Sequence, residues 1–73
     1  MKALNKLRTG EEGVVCNNDH CAERLRDLGL VRGTRVKCLL RSPLGDPAAY
    51  LIRGALIAIR DEDASWVEVE SGE

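Results

Sequence analysis

The residues with the most chemical potential lie in Cys16-Asn17-Asn18-Asp19-His20-Cys21, where two thiols and the chain's single imidazole fall close together and Asp19 adds a carboxylate. Cys with His is a donor set that favours Zn(II), whereas Fe(II) would be held only weakly by it. A structural site needs four ligands and no fourth is evident, so Cys16, His20 and Cys21 form a weak metal candidate and no cofactor is required. Burial is the preferred reading, because Cys21 opens an apolar helical stripe, Cys16 ends a β-branched run, and free Cys is among the most buried residue types. Cys38 alternates with Val36 and Leu40 and belongs with the core. The odd number of cysteines argues for reduced thiols rather than a disulfide framework.

Catalytic constellations are missing from the sequence. It holds no Ser/His/Asp set, no carboxylate pair in an evident pocket and no phosphate-binding glycine loop. A Cys21 thiolate would be favoured near a helix N-terminus, but its place in the apolar stripe argues against a thiol enzyme. No enzymatic activity is expected.

The elements that position these residues are short. Gly13 to Cys16 reads as a first strand, followed by N-cap candidates Asn17, Asn18 and Asp19. They precede a helix from about His20 to Leu28, with Cys21, Leu25 and Leu28 on its core face. Gly29 fits the residue after the helix, with Leu30 as its hydrophobic anchor. In Arg35 to Arg41, Val36, Cys38 and Leu40 alternate with Lys37, Leu39 and Arg41, which predicts a strand with one buried face. Ser42-Pro43-Leu44-Gly45-Asp46-Pro47 then gathers both prolines and a glycine into a stiff loop, able to shape a corner or to present Leu44 to a partner.

Ala49 to Ile52 and Ala55 to Ile59 flank Arg53-Gly54 as a hairpin. These runs are apolar on both faces, which suggests a curled sheet with a helix or a partner covering what the interior does not. Asp61 to Ser65 can form one helical turn before a last strand from Trp66 to Glu70, with Val67 and Val69 pointing in. The expected fold is mainly β with one short helix, a small SH3-like five-stranded barrel that removes sheet edges.

The chain has 73 residues, 44% of them hydrophobic and 32% charged, which suits a single globular domain over residues 1–73. With Tyr50 and Trp66 as its only aromatics, its core must be aliphatic. No apolar run is long enough to span a membrane and no signal-peptide core follows Met1, so a cytoplasmic protein without membrane insertion is expected. The net charge of -1 conceals a segregation: residues 1–60 carry a surplus of +5, whereas residues 61–73 carry six acids and no base. A basic small barrel raises nucleic-acid binding as an alternative, but two aromatics provide no stacking platform, so no nucleic-acid partner is expected.

Three segments resemble the FeoA proteins of bacterial ferrous iron uptake: Leu4 to Val15 as a Leu-x-x-Leu-x-x-Gly opening, Arg24-Leu25-x-x-Leu28-Gly29-Leu30-x-x-Gly33, and Ser42 to Pro47. Arg53-Gly54 and Ala58 through Val69 are similar to the family's closing strands. The resemblance implies an SH3-like fold without catalysis and a cytosolic accessory role toward FeoB, the membrane permease with a GTP-binding domain. That role would make the protein peripheral to the inner membrane. The same module is similar to the C-terminal domain of iron-dependent DtxR-type repressors, which leaves a small metal-binding regulatory module as an alternative. No DNA-binding helices precede it, which favours a free-standing FeoA-like protein.

Carried onto this sequence, the family's motifs mark Leu28, Gly29 and Leu30 at the helix exit and Pro43, Leu44, Gly45 and Asp46 in the loop. Arg24, Arg41 and Arg53 flank them as partner contacts, since Arg is enriched at interfaces. A structural role for Gly29 and the prolines is the preferred reading, and self-association stays open.

Overall fold

Alternation of β-branched and aliphatic residues dictates most of the strands, and glycines and prolines dictate where they stop. The computed structural model describes residues 1–71. Along the chain lie β1 (Lys2–Ala3), a 3-10 turn (Leu4–Lys6), β2 (Glu12–Asn17), α1 (Glu23–Asp27), β3 (Arg35–Arg41), β4 (Ala48–Ile52), β5 (Ala55–Ile59), α2 (Asp61–Ala64) and β6 (Glu68–Ser71). Every strand joins one antiparallel sheet in the order β1-β6-β2-β3-β4-β5. Of the domain expected over residues 1–73, the last two residues lie outside the described residues.

The mainly β, SH3-like architecture holds, with six strands rather than five and two short helices rather than one. The extra strand is Lys2–Ala3, too short to show periodicity, which pairs with β6 through Lys2↔Val69 and Ala3↔Glu68. The ladders do not close the barrel, since β1 and β5 remain as edges. Among the described residues no helix is long and apolar enough to cross a membrane.

The sheet curls around an aliphatic core of Leu4, Leu7, Val15, Leu25, Leu30, Val36, Ile52, Val67 and Val69, with Cys21, Cys38 and Tyr50 packed among them. Each large aliphatic side chain buried here contributes about 1.5–3 kcal/mol. The Tyr50 hydroxyl donates to Leu4 O at 3.5 Å, and burial pushes its pKa up to about 12. No backbone of α1 continues toward His20 as the sequence suggested. The helix starts at Glu23 behind Ala22, because Asn17 Oδ1 accepts from the Asp19 N–H at 2.9 Å and Asn18 Nδ2 donates to Leu30 O at 2.8 Å. Both side chains stabilise the loop instead of capping a helix.

The exit of α1 follows expectation. Gly29 has φ +116°, the Leu30 N–H donates to Leu25 O at 3.0 Å and the Gly29 N–H to Arg26 O at 3.0 Å. Those two bonds are a Schellman termination, in which Leu30 is the buried apolar anchor. In β3, a bulge between Cys38 and Leu40 overturns the simple alternation. Leu40 pairs with Ala49 and is 53% exposed, while Arg41 pairs with the buried Ala48 and turns toward the barrel end.

Candidate functional site

The stiff loop between β3 and β4 is built as its composition demands. Pro43 and Leu44 form the centre of a turn closed by the Gly45 N–H donating to Ser42 O at 2.8 Å, with Gly45 at φ +85°. The Ser42 N–H donates to Pro47 O at 3.2 Å across the base, and the Asp46–Pro47 peptide is cis. Asp46 is exposed but engaged within the chain: its Oδ1 accepts the first amide of α2, from Asp61, at 2.8 Å. A carboxylate there satisfies an orphan donor and complements the helix dipole. The loop is thereby pinned, and Leu44 stands on it 94% exposed.

The other expected contact residues divide into surface and scaffold. Leu28, placed on the core face by the sequence pattern, is 47% exposed because α1 is only five residues long and ends in the turn at Gly29. Leu30 is fully buried and is not a surface contact. Gly29 faces Arg53 and Ile52, where a Cβ would come 3.0 Å from Arg53 Cδ. Arg24 forms a short ion pair with Asp63 of α2. Arg41 is occupied inside the fold, where its Nη2 donates to Asn5 O at 2.7 Å and to Leu7 O at 2.6 Å. Arg53 occupies the β4–β5 turn at φ 51°.

Arg53 also borders two shallow surface clefts. One, of about 350 Å³, is lined by Arg32, Gly33, Thr34, Arg35 and Arg53. The other, of about 250 Å³, is lined by Glu12, Arg35, Val36, Lys37, Leu51, Arg53 and Gly54. Beside them the outer face of β3–β5 carries an apolar row that residue choice from the sequence passed over: Leu51 lies opposite Leu56 in register, Ala49 opposite Ala58 and beside Leu40, with all three leucines exposed. The two-faced apolarity of residues 49–52 and 55–59 was the signal for it.

The metal candidates are not brought together. Cys21 is buried and Sγ donates to Ala22 O at 3.5 Å, Cys16 is half-buried, and His20 is exposed with its ring edge-on to Trp66 at 6.0 Å. Among the described residues no three His, Cys, Asp or Glu side chains are grouped to hold a metal ion. As placed, these residues do not fit a metal centre. Glu11 is the other perturbed acid: the Arg8 N–H and the Lys2 ammonium hold its carboxyl below the usual carboxylate value.

Comparison with known proteins gives consistent findings. The FeoA domain model matches residues 2–71. The Fe(2+) transport protein A/Fe(2+) transporter FeoB fusion protein of Porphyromonas gingivalis is 31% identical in an alignment of 70 residues that covers 92% of this chain. This chain spans only 8% of that protein's length. The solution structure of the FeoA protein from Chlorobium tepidum is 36% identical with a TM-score of 0.87, covering 97% of this chain and 70% of the other. Stenotrophomonas maltophilia FeoA, solved in complex with zinc and described as a prokaryotic SH3 domain protein, is 30% identical with a TM-score of 0.82, covering 96% of this chain and 91% of the other.

Proposed function

The chain belongs to the FeoA domain family, and on that premise we propose that it is a non-enzymatic accessory protein of ferrous iron uptake that docks on the cytosolic part of FeoB and modulates its transport or GTPase activity. The observation that carries this reading is the fusion in Porphyromonas gingivalis, in which a segment related to this chain is covalently joined to FeoB. Covalent linkage raises the effective concentration of one module at the other, which is useful where the two make contact. A separate chain would make the same contact through its own surface.

The surface that suits this role is the Ser42–Pro47 turn with Leu44 at its tip, which begins two residues after the exposed Leu40. A pinned turn loses little entropy on binding, so an apolar tip there is an efficient anchor. Leu28 adds an exposed apolar group, and Arg53 adds a guanidinium without an ion-pair partner among the described residues.

The test is capture of detergent-solubilised FeoB by tagged protein, in GDP and GTP-analogue states, beside membranes lacking FeoB. Burying one leucine contributes about 1.5–3 kcal/mol, so Leu44→Asp should weaken FeoB capture at least about ten-fold while leaving the far-UV CD spectrum unchanged. Capture that does not depend on FeoB, in either nucleotide state, overturns the proposal. FeoB-dependent capture unaffected by Leu44→Asp moves the contact away from the loop.

A further inference from the structure

The β4–β5 hairpin ends in an unprotected sheet edge. Arg53 and Gly54 both have positive φ, 51° and 82°, and connect Ile52 directly to Ala55 as a two-residue hairpin turn. In such a hairpin the closing pair Ile52–Ala55 is hydrogen-bonded, and alternation makes Tyr50–Ile57 and Ala48–Ile59 hydrogen-bonded as well. Leu56 and Ala58 therefore direct their N–H and C=O groups away from β4. No other strand meets β5, and no loop or side chain among the described residues bonds to these groups.

Edge strands normally carry a device against pairing, such as a Lys, a Pro, a bulge or very short length. The opposite edge, β1, is two residues long and contains Lys2. β5 reads Ala-Leu-Ile-Ala-Ile over five residues, pairs with β4 without a register shift, and exposes Ala55, Ala58 and a 59% exposed Leu56. It has none of the protective features.

We propose that β5 is the pairing edge for a second copy of this chain, in an antiparallel, two-fold symmetric junction centred on Ile57. Only that register pairs Leu56 with the partner's Ala58 and Ala58 with the partner's Leu56, so that the outward-directed N–H and C=O groups of both strands are satisfied together. It also pairs Ala55 with the partner's Ile59. Two residues beyond the strand at each end, it sets Arg53 in the β4–β5 turn of one copy at the same end of the junction as Asp61, the first residue of α2, of the other, twice by symmetry.

Neither Arg53 nor Asp61 has an ion-pair partner among the described residues of its own chain. Sliding the register by two residues in one direction sets Arg53 against Ile59, and in the other it sets Asp61 against Ala55 and Arg53 against Asp63, a carboxylate that Arg24 already holds. Neither slide brings together two charges that are both free. Charge complementarity thus selects the same register as the backbone groups. On the outer face, the junction continues the row Leu51–Leu56 onto the partner's Ala58 and Ala49, covering apolar surface that each copy alone leaves in water. This inference does not rest on the FeoB reading.

A five-residue strand junction is a small interface, so the expected dissociation constant is on the order of 10⁻⁵ M, within reach of sedimentation equilibrium from about 5 µM to 500 µM. The intact chain should pass from monomer to dimer across that range. Ala58→Pro removes an outward N–H without touching the β4 ladder and should leave a folded monomer. Leu56→Lys, a second edge change, should do the same.

Arg53→Asp and Asp61→Arg should each weaken the dimer about three- to ten-fold, and the double variant should restore it, since the pair is exchanged rather than lost. A chain that stays monomeric throughout overturns the proposal. So does a dimer that persists in the folded Ala58→Pro and Leu56→Lys variants, or a charge swap that fails to rescue.

Discussion

Replacing Arg41 by Met keeps most of the aliphatic stem and removes the guanidinium that holds Asn5 O at 2.7 Å and Leu7 O at 2.6 Å. A carbonyl deprived of its partner costs about 1–3 kcal/mol, and the lower end applies because Arg41 is only part-buried and water can reach the site. Two such carbonyls give a loss of about 2 kcal/mol. In a domain of this size 1 kcal/mol moves Tm by about 4–8 °C, so Arg41→Met should melt on the order of 10 °C below the parent. Thermal melts followed by CD, with urea unfolding to show an unchanged m value, measure the effect. Arg41→Lys should recover only part of it, because one ammonium on a shorter reach does not reproduce the planar fork. If Arg41→Met melts within about 2 °C of the parent and instead loses FeoB capture, Arg41 is a surface contact and the packing argument is refuted.

Three further substitutions test the scaffold. A Cβ at Gly13 would lie 2.9 Å from the Glu70 backbone O and 3.2 Å from the Val69 side chain, and a central strand has nowhere to move. Gly13→Ala should therefore destabilise by about 2–3 kcal/mol in urea unfolding, and an unshifted midpoint would rule out this close β2–β6 approach. Asp46→Ala removes the acceptor of the Asp61 N–H, so it should cost about 1 kcal/mol and speed hydrogen exchange at that amide. Burial raises the Tyr50 pKa to about 12 from the ordinary 10. Its contribution is thus complete below about pH 10 and is lost as pH rises toward 12, at up to about 1.4 kcal/mol per pH unit, a slope that Tyr50→Phe should abolish in urea midpoints measured from pH 9 to 12.

Much of the fold was legible because periodicity and turn chemistry are local. Ala55–Ile59, the Arg53-Gly54 turn, the inward Val67 and Val69, and the glycine stop of α1 all follow from residues within a few positions of each other. What escaped was non-local. The bulge in β3 exists because β4 pairs across it, and a single inserted residue sends Leu40 outward and Arg41 inward. Alternation alone assigned them to the opposite faces. Asn17 and Asn18 are as good in an N-cap as in an Asx turn, and only the long-range bond from Asn18 to Leu30 O decides between them. A motif also marks that a residue matters without saying which way it faces: Leu30 is buried, Arg41 and Asp46 bond within the chain, and Leu44 reaches solvent.

The segregation of charge along the chain is not a segregation in space, and this bears on the partner. Arg24 of α1 meets Asp63 of α2, and Lys2 meets Glu11. These pairs use basic side chains that the sequence offers to an acidic ligand. Arg35 and Arg53 have no such partner among the described residues, and Arg32 approaches Asp19 only to 3.7 Å, although all three line one cleft. Three guanidiniums thus share one cleft at the open end of the β4–β5 hairpin, two of them without an ion-pair partner among the described residues. An acidic partner surface would be steered to that end, and Asp61 of a second copy is one such group. Arg24, selected from the sequence on equal terms with Arg53, is already satisfied and adds little, since an exposed ion pair gained from a partner would replace one made within the chain.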